Sequence, residues 1–417
     1  MKERVLFAAI VSLVVFTSVP VFATNGDNLI AIGPIARAMG GVGIAAPQDA
    51  ISAVFANPAA MCFGPYCPSS EVNFGGTLFM PHIDAKVTAG GQTFKADSDE
   101  KVYAIPAIGI SVPASDKYPF WRFGFGAYGS TGLGADYRDT VLDQPAFAPF
   151  GGFPLVAGEY TQLQIFKFSP AVAAQLMDQL SVGVGMHVDY STLDLRNGSS
   201  SGYGIGAQVG AIYKVTDQLS LGLDFVSPQN IEYEDVIRNQ AGQFDLELES
   251  PLQVGIGAAY TFLEGKLLIE TDVKWLNWAD ATGYSDFGWD NQWVFAVGAQ
   301  YKPISKLALR VGYNYGENPV KEHNGWTGTT PLTVQGIPFP KYYYESFRVL
   351  GFPAIVEHHV TAGIGYDFTS KFGVNLGYMH AFENSITERG TDLAGNAARF
   401  ESSLSEDSID FGLTWRF

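Results

Sequence analysis

From about Glu71 to the end of the chain, hydrophobic and polar positions alternate with period two. Between residues 408 and 417, Ile409, Phe411, Leu413, Trp415 and Phe417 share one parity, and Ser408, Asp410, Gly412, Thr414 and Arg416 share the other. Residues 252–262 repeat the pattern, with Leu252, Val254, Ile256, Ala258, Tyr260 and Phe262 set against Gln253, Gly255, Gly257, Ala259 and Thr261. Side chains on a strand point to opposite faces in turn, so each segment has one apolar face and one small or polar face. The same reading covers 180–190, 219–225, 307–315, 360–368 and 372–378.

A soluble sandwich also alternates, but three details favour a membrane barrel. The segments run about 10 to 18 residues, longer than the usual five or six of soluble strands and long enough to cross a bilayer at a tilt. Aromatic residues stand at segment ends (Tyr260 and Phe262, Trp275 and Trp278, Trp415 and Phe417), where interfacial girdles belong. The chain itself ends on an aromatic residue. Strands are expected near 70–80, 100–113, 121–131, 158–175, 179–195, 202–215, 218–236, 243–262, 266–280, 291–302, 305–315, 356–368, 371–383 and 405–417. Bacterial barrels need such an even number. Short turns at Met177-Asp178, Thr216-Asp217, Leu263-Glu264, Pro303-Ile304 and Thr369-Ser370 oppose long loops over 81–99, 132–157, 316–355 and 384–404. The expected fold is therefore all-β, a 14-stranded antiparallel transmembrane β-barrel over residues 70–417, with both barrel ends on the short-turn side.

Residues 24–69 do not alternate. They are rich in Gly, Ala and Pro, with one short helical candidate at 49–55. An apolar segment ahead of a barrel has to bury itself, and the lumen is the economical place, so an N-terminal hatch or plug is expected there. Residues 1–23 combine a basic start (Lys2, Arg4), an apolar core from Val5 to Val15 and a small-residue exit at Val21-Phe22-Ala23. That pattern predicts a secretory signal peptide cleaved after Ala23, in preference to an uncleaved membrane anchor. In an oxidising compartment Cys62 and Cys67, spaced C-x4-C, would form a local disulfide. No His or second Cys pair stands nearby to favour a metal site.

Composition narrows the class further. The chain has 47 Gly among 417 residues, 14% aromatic and only 16% charged residues, and a net charge of −17. The acid excess argues against nucleic acid, whose phosphates call for clustered Lys and Arg. A hydrophobic content of 47% argues against disorder. A helical membrane protein needs repeated apolar runs of about 20 residues, and the one apolar run lies in the signal segment.

Arg37-Ala38-Met39-Gly40-Gly41 with Gly43, the pair Asp49-Ala50 and Asn57-Pro58-Ala59 resemble the N-terminal hatch of the long-chain fatty-acid transporter family of outer-membrane proteins, which includes transporters of toluene and related hydrocarbons. Further matches follow in order: Lys167-Phe168-Ser169-Pro170-Ala171, Ser181-Val182-Gly183-Val184-Gly185, Trp275 to Trp278, residues 310–315, Asn318-Pro319-Val320, and Phe352-Pro353-Ala354 leading to His359. The resemblance implies passive uptake of hydrophobic compounds, fatty acids or aromatic hydrocarbons, through an apolar lumen pocket. Hatch movement and sideways exit at a kinked third strand would follow. It assigns the gate to Asn25, Asp27, Leu29 and Ile30, with Asn57, Pro58 and Ala59 contacting the kink and holding the hatch. The glycine-rich run around Gly129, Ser130, Thr131 and Gly132 is the expected lateral opening, since glycine inside a strand often marks a bulge.

Apolar stretches in the outer loops suggest a capture surface: Phe147, Phe150, Phe153 and Leu155 in one, Phe339 in another. Lys167, Arg196 and Arg310 are candidate partners for a carboxylate, Arg196 foremost, although the cations expected for fatty acids are not convincingly matched. Glu357 and His359 share a face as a conceivable metal pair, with a satisfied polar pair in the lumen favoured over it. Glu270 and Asp272 read as ordinary lumen charges. No nucleophilic triad, Walker loop or zinc spacing appears, so neither catalysis, a metal nor another cofactor is expected. The expected partners are hydrophobic small molecules, outer-membrane lipid and lipopolysaccharide, with a monomeric chain. A porin, which would need a polar constriction, and an outer-membrane barrel hydrolase, which would need a Ser/His or Asp/His pair at its rim, are the competing readings.

Overall fold

The alternation resolves into fourteen antiparallel strands that close on themselves. The computed structural model describes residues 25–62, 70–99, 102–115, 120–239 and 241–417. The signal segment and, through Cys67, the expected disulfide lie outside them. The barrel strands are β1 Glu71–Ala89, β2 Tyr103–Pro113, β3 Trp121–Asp136, β4 Tyr160–Met177, β5 Leu180–Leu195, β6 Gly198–Lys214, β7 Leu219–Val226, β8 Gln253–Phe262, β9 Leu267–Leu276, β10 Gln292–Ile304, β11 Leu307–Gly316, β12 His358–Asp367, β13 Phe372–Thr391 and β14 Ala397–Arg416. β14 pairs with β13 on one side and β1 on the other, with Phe74 opposite Leu413. No helix among the described residues is long and apolar enough to cross a membrane.

The apolar parity faces outward. Leu223, Ile256, Phe295, Val311, Leu376 and Phe411 form an exposed belt, bounded on the short-turn side by Trp121, Tyr260, Tyr301 and Trp415 and toward the long loops by Tyr190, Trp293 and Tyr378. Glycine, small and polar residues face inward, the arrangement a wall needs when its outer surface meets hydrocarbon.

Two expectations about strand limits change. Residues 218–236 and 243–262 do not run as single barrel strands. β7 stops at Val226 and β8 starts at Gln253, and between them Gln229–Asn239 and Gly242–Ser250 form a separate hairpin. Pro228 and Pro251 bracket it, and proline cannot donate to a ladder, so each ends the barrel pairing where it stands. The hairpin lies over the inner face of β6, with Ile231 and Glu232 against Gly202. In contrast, stretches expected as loops at 81–99 and 384–404 are largely strand. β1 runs on to Ala89, and β13 and β14 stay paired out to Thr391–Ala397.

Residues 25–62 are almost wholly buried within the barrel. Their local structure follows from punctuation. Pro34 starts the short helix α1 (Pro34–Arg37), and Gly40 and Gly41, at φ 71° and 83°, reverse the chain after it. Asp49 caps α2 (Ala50–Ala56), accepting from Ser52 N at 2.9 Å. Too little regular structure remains to pair the other N–H groups, so the wall pairs them. Asp272 Oδ2 accepts from Gly43 N (2.8 Å) and Ile44 N (3.1 Å). Glu270 Oε1 accepts from Ala45 N (2.7 Å) and Ala46 N (2.9 Å), and Asn73 Oδ1 from Ala50 N (2.8 Å). Arg37 answers with a buried ion pair to Asp410 at 2.8 Å and a bond to Ser408. Glycines on the inner wall let the segment come this close: a Cβ on Gly183, Gly298 or Gly312 would collide with its backbone.

Gly312→Ala should therefore push the Met39–Gly40 peptide off the wall, at a cost of about 1–3 kcal/mol. The expected result is faster trypsin cleavage after Arg37, the single basic residue in 25–62, with the barrel still running as a folded species in unheated gels.

Candidate functional site

β3 leaves its neighbour halfway along. β2 and β3 pair from Pro113–Arg122 to Ala107–Tyr128, and no further. The rest of β2, Tyr103 to Pro106, pairs with β1 alone. On its other side β3 shifts register against β4, with Gly129 opposite Phe166 and Thr131 opposite Ile165, leaving Ser130 as an extra residue. The two edges meet again near the outer rim, where Asp99 N donates to Asp136 O at 2.8 Å and Asp136 N to Ser98 Oγ at 2.9 Å. The wall therefore has a window between β2 and β3 with Gly129–Asp136 along one side.

The first described residues bond to that edge. Leu29 N donates to Ser130 O (3.2 Å), Gly132 N donates to Asp27 O (3.3 Å), and Thr131 Oγ1 donates to Asn28 Oδ1 (3.1 Å). Leu29 and Ile30 pack in one apolar cluster with Tyr103, Ile105 and Tyr128, which come from both sides of the window. Asn57 is anchored elsewhere: its Nδ2 donates to Ile44 O, to Ala211 O of β6 and to Leu223 O of β7. Pro58 and Ala59 continue along Gly183 and Gly210. The contact with the kink expected of Asn57-Pro58-Ala59 is made instead by Asp27, Asn28 and Leu29, because backbone edge groups at 130–132 need partners and the tight turn at Asn25–Asn28, with Leu29 after it, supplies them.

Two cavities flank this contact. One of about 70 Å³ is bounded by Asn25, Asn28, Leu29, Tyr128 and Ser130, with Lys167, Gln229 and Lys274 across from them. Its cations are engaged: Lys167 pairs with Asp189 at 3.3 Å and donates to Gln229 at 2.6 Å. The other, about 20 Å³, is lined by Leu133, Leu163, Leu246, Leu248, Tyr284, Phe287, Trp289, Phe352 and Arg348. Each guanidinium nitrogen of Arg348 is also engaged, donating to Glu345, Lys321 O and Glu388. His323, Glu345 and Glu388 bring ligand-type atoms within 4.8 Å of one another. Arg348 donates to both carboxylates, so they form an ion network around a guanidinium. Burial pushes Glu345 upward, but the hydrogen bond from His323 and the charge of Arg348 outweigh it and hold Glu345 below the usual carboxylate range.

The residues singled out in the loops line neither cavity. Phe147, Phe150 and Leu155 are buried in an apolar cluster that joins the outer loops to strand residues such as Val87, Leu133 and Phe400, with Phe150 packed edge-on against Tyr342. Phe339 is half-buried against that core, and Phe153 is exposed. Arg196 sits at the β5–β6 turn, 42% exposed, paired with Asp143 at 3.1 Å. Arg310 faces inward and bonds to Gln300 and Asn375. Glu357 and His359 do not converge: Glu357 accepts from Asn318 N, whereas His359 is fully buried. The residues that do line the apolar cavity, Leu246, Leu248, Tyr284, Phe287 and Trp289, had a readable signal. Phe244, Leu246 and Leu248 alternate with acids, and four tryptophans fall between 275 and 293.

Burial pushes the Asp27 carboxyl up to about 7, against the hydrogen bond from Tyr284 and the charge of Lys167; Tyr233 also lies in its field. A carboxyl raised from 3.8 favours the closed arrangement in its neutral form, fully at low pH and decreasingly as pH passes about 7. Hydrogen exchange at residues 25–32, corrected for intrinsic rates, should then be about tenfold faster at pH 8.5 than at pH 6.

The family model described as outer membrane protein transport protein (OMPP1/FadL/TodX) matches residues 22–202 and 191–327. No curated protein matches the sequence. Among solved structures, the Pseudomonas putida toluene transporter TodX is similar over 94% of this chain and 100% of its own, at 19% identity and a TM-score of 0.66. A Pseudomonas aeruginosa FadL homologue is similar over 96% and 99%, at 14% identity and 0.66. The Ralstonia pickettii toluene transporter TbuX is similar over 93% and 98%, at 14% identity and 0.59. At these identities the likeness is one of fold.

Proposed function

The chain belongs to the outer membrane protein transport family, and on that footing we propose that it carries small, neutral hydrophobic molecules across the outer membrane and releases them sideways. The observation that carries this reading is an apolar chamber beneath the outer loops, adjoining an N-terminal segment that is bonded to an incomplete edge of the wall. In this reading residues 24–69 are the hatch and 70–417 the barrel, with Asn25, Asp27, Leu29 and Ile30 as the gate. Asn57, Pro58 and Ala59 hold the hatch against β5, β6 and β7, and Gly129, Ser130, Thr131 and Gly132 form the movable side of the exit. Exposed Phe153 on the loops offers the first contact. The solute enters the chamber, the gate leaves β3, and the solute passes through the window into hydrocarbon without crossing bulk water. Differential binding between closed and open states is sufficient, and no bond is made or broken. The monomeric state and contact with lipopolysaccharide at the outer rim belong to the same proposal.

A neutral solute fits better than a fatty acid, because Arg348 is the cation lining the chamber and its charge is already paired with Glu345 and Glu388. Burying a single aromatic ring of about 150–200 Å² at ~25 cal/mol per Å² gives roughly 4–5 kcal/mol. That corresponds to a dissociation constant of about a millimolar or somewhat below, weak enough for release.

A reversible lock tests the route. Asn28→Cys combined with Thr131→Cys, opposite one another in an isolated bridge, should cross-link gate to wall when oxidised. In vesicles, wild type is expected to take up deuterated toluene well above the protein-free rate and oleate far less. The oxidised double variant should fall to the protein-free rate and recover on reduction. Undiminished uptake by the oxidised form would remove the window from the route.

A further inference from the structure

Building on the transport reading, we propose that the loop 277–291 is the solute sensor and that Tyr284 is the positioning residue through which a solute in the apolar chamber releases the gate. Tyr284 belongs to both structures. Its ring lines the chamber, and its hydroxyl donates to Asp27 Oδ2 in the gate. Asp27 in turn accepts from Gly132 N of β3 through its carbonyl, so one gate residue joins the loop to the edge of the window.

The same loop grips the gate from the side. Trp278, Tyr284 and Trp289 pack against one another with ring centroids 4.6, 5.0 and 4.8 Å apart. Gly26, at φ 67°, lies in their clamp, where a Cβ would stand 2.8 Å from the Trp278 ring and 3.0 Å from that of Trp289. A side chain at position 26 would force the rings apart, so this part of the gate is shaped to the clamp.

The chamber is too small to fill without consequence. A cavity of about 150 Å³ accepts benzene, whereas this one measures about 20 Å³. Some of the wall has to yield. Leu133 and Leu163 stand on β3 and β4 and are held by a ladder. Tyr284 and Phe287 stand on a loop held by local turns and by single bonds to its neighbours, such as Glu249 N to Thr282 O and Lys321 N to Gly288 O, with no continuous ladder. A solute therefore displaces the loop first. Displacing Tyr284 removes the donor from a buried Asp27, and a buried carboxyl without its partner is unfavourable where it is. The gate then leaves. Because coupling is reciprocal, loosening the gate must also strengthen solute binding by the same factor.

Tyr284→Phe keeps the ring and removes the donor. At pH 6, where Asp27 is neutral and the closed arrangement is favoured, hydrogen exchange at residues 25–32 of the full-length protein in detergent should be slow in wild type and about tenfold faster with saturating toluene. In Tyr284→Phe it should be about tenfold faster without toluene, with little further change on adding it. Toluene should bind this variant more tightly, by a matching factor, which a merely loosened loop would not produce. Asp27→Ala should reproduce both effects, and the double variant should add nothing. Tyr343→Phe, which removes a hydroxyl bonded to Pro154 O on the outer loops, should exchange like wild type. Exchange in ligand-free Tyr284→Phe equal to wild type, or toluene binding that weakens, would overturn the latch. Failure of wild type to bind toluene would overturn the transport reading instead, and the ligand-free comparison would still decide the latch.

Discussion

A chain enclosed in a barrel lumen must find partners for every backbone N–H and C=O it carries, and residues 25–62 have too little regular structure to supply their own. That constraint organises the molecule. The inner wall carries Glu270, Asp272, Asn73 and Thr361 where amides of the enclosed segment arrive. It carries glycine where that segment's backbone touches it. Carboxylates that look like lumen charge in isolation are acceptors aimed at a particular stretch of main chain. The Arg37–Asp410 pair, buried on both sides, fixes the register of the whole arrangement.

The same requirement explains why the window and the N-terminus occur together. Once β3 parts from β2 after Tyr128, its edge groups at Ser130 and Gly132 have lost a neighbouring strand. An unpaired edge inside a membrane protein is costly. Asp27 and Leu29 supply the missing bonds, and Leu29 and Ile30 cover the apolar sides of the gap. A few hydrogen bonds and a small apolar cluster hold this contact, against the continuous ladder that pairs neighbouring barrel strands elsewhere among the described residues.

The outer loops obey a different rule. Phe147, Phe150, Leu155 and Tyr342 are buried in the same apolar cluster but leave the chamber to Leu133 and Leu163 of the wall, to the 229–250 hairpin, to the 277–291 loop and to Arg348 and Phe352. Apolar loop residues announce burial, but they do not announce against what. Arg196 was a reasonable candidate for an anion by type, and the fold put it at a turn beside Asp143. Arg348, which does line the chamber, sits in a helical stretch whose chemistry depends on Glu388 forty residues away.

The strand count, the lipid-facing parity, the girdles and the non-alternating segment ahead of the barrel were all determined locally. A strand's period is two, and lipid on one side enforces it. The irregularity within 129–132 was legible too, because glycine inside a strand often marks a bulge, and the register shifts between Gly129 and Thr131. What only the tertiary structure decided was pairing at a distance: that Pro228 and Pro251 turn a strand-like stretch inward as a hairpin, that Asp27 and Leu29 rather than Asn57 meet the kink, and that Tyr284 reaches from an outer loop to the N-terminus. These depend on which buried group finds which partner across the lumen. Periodicity along a chain says which face a side chain takes, and closure of the barrel is what sets one face opposite another.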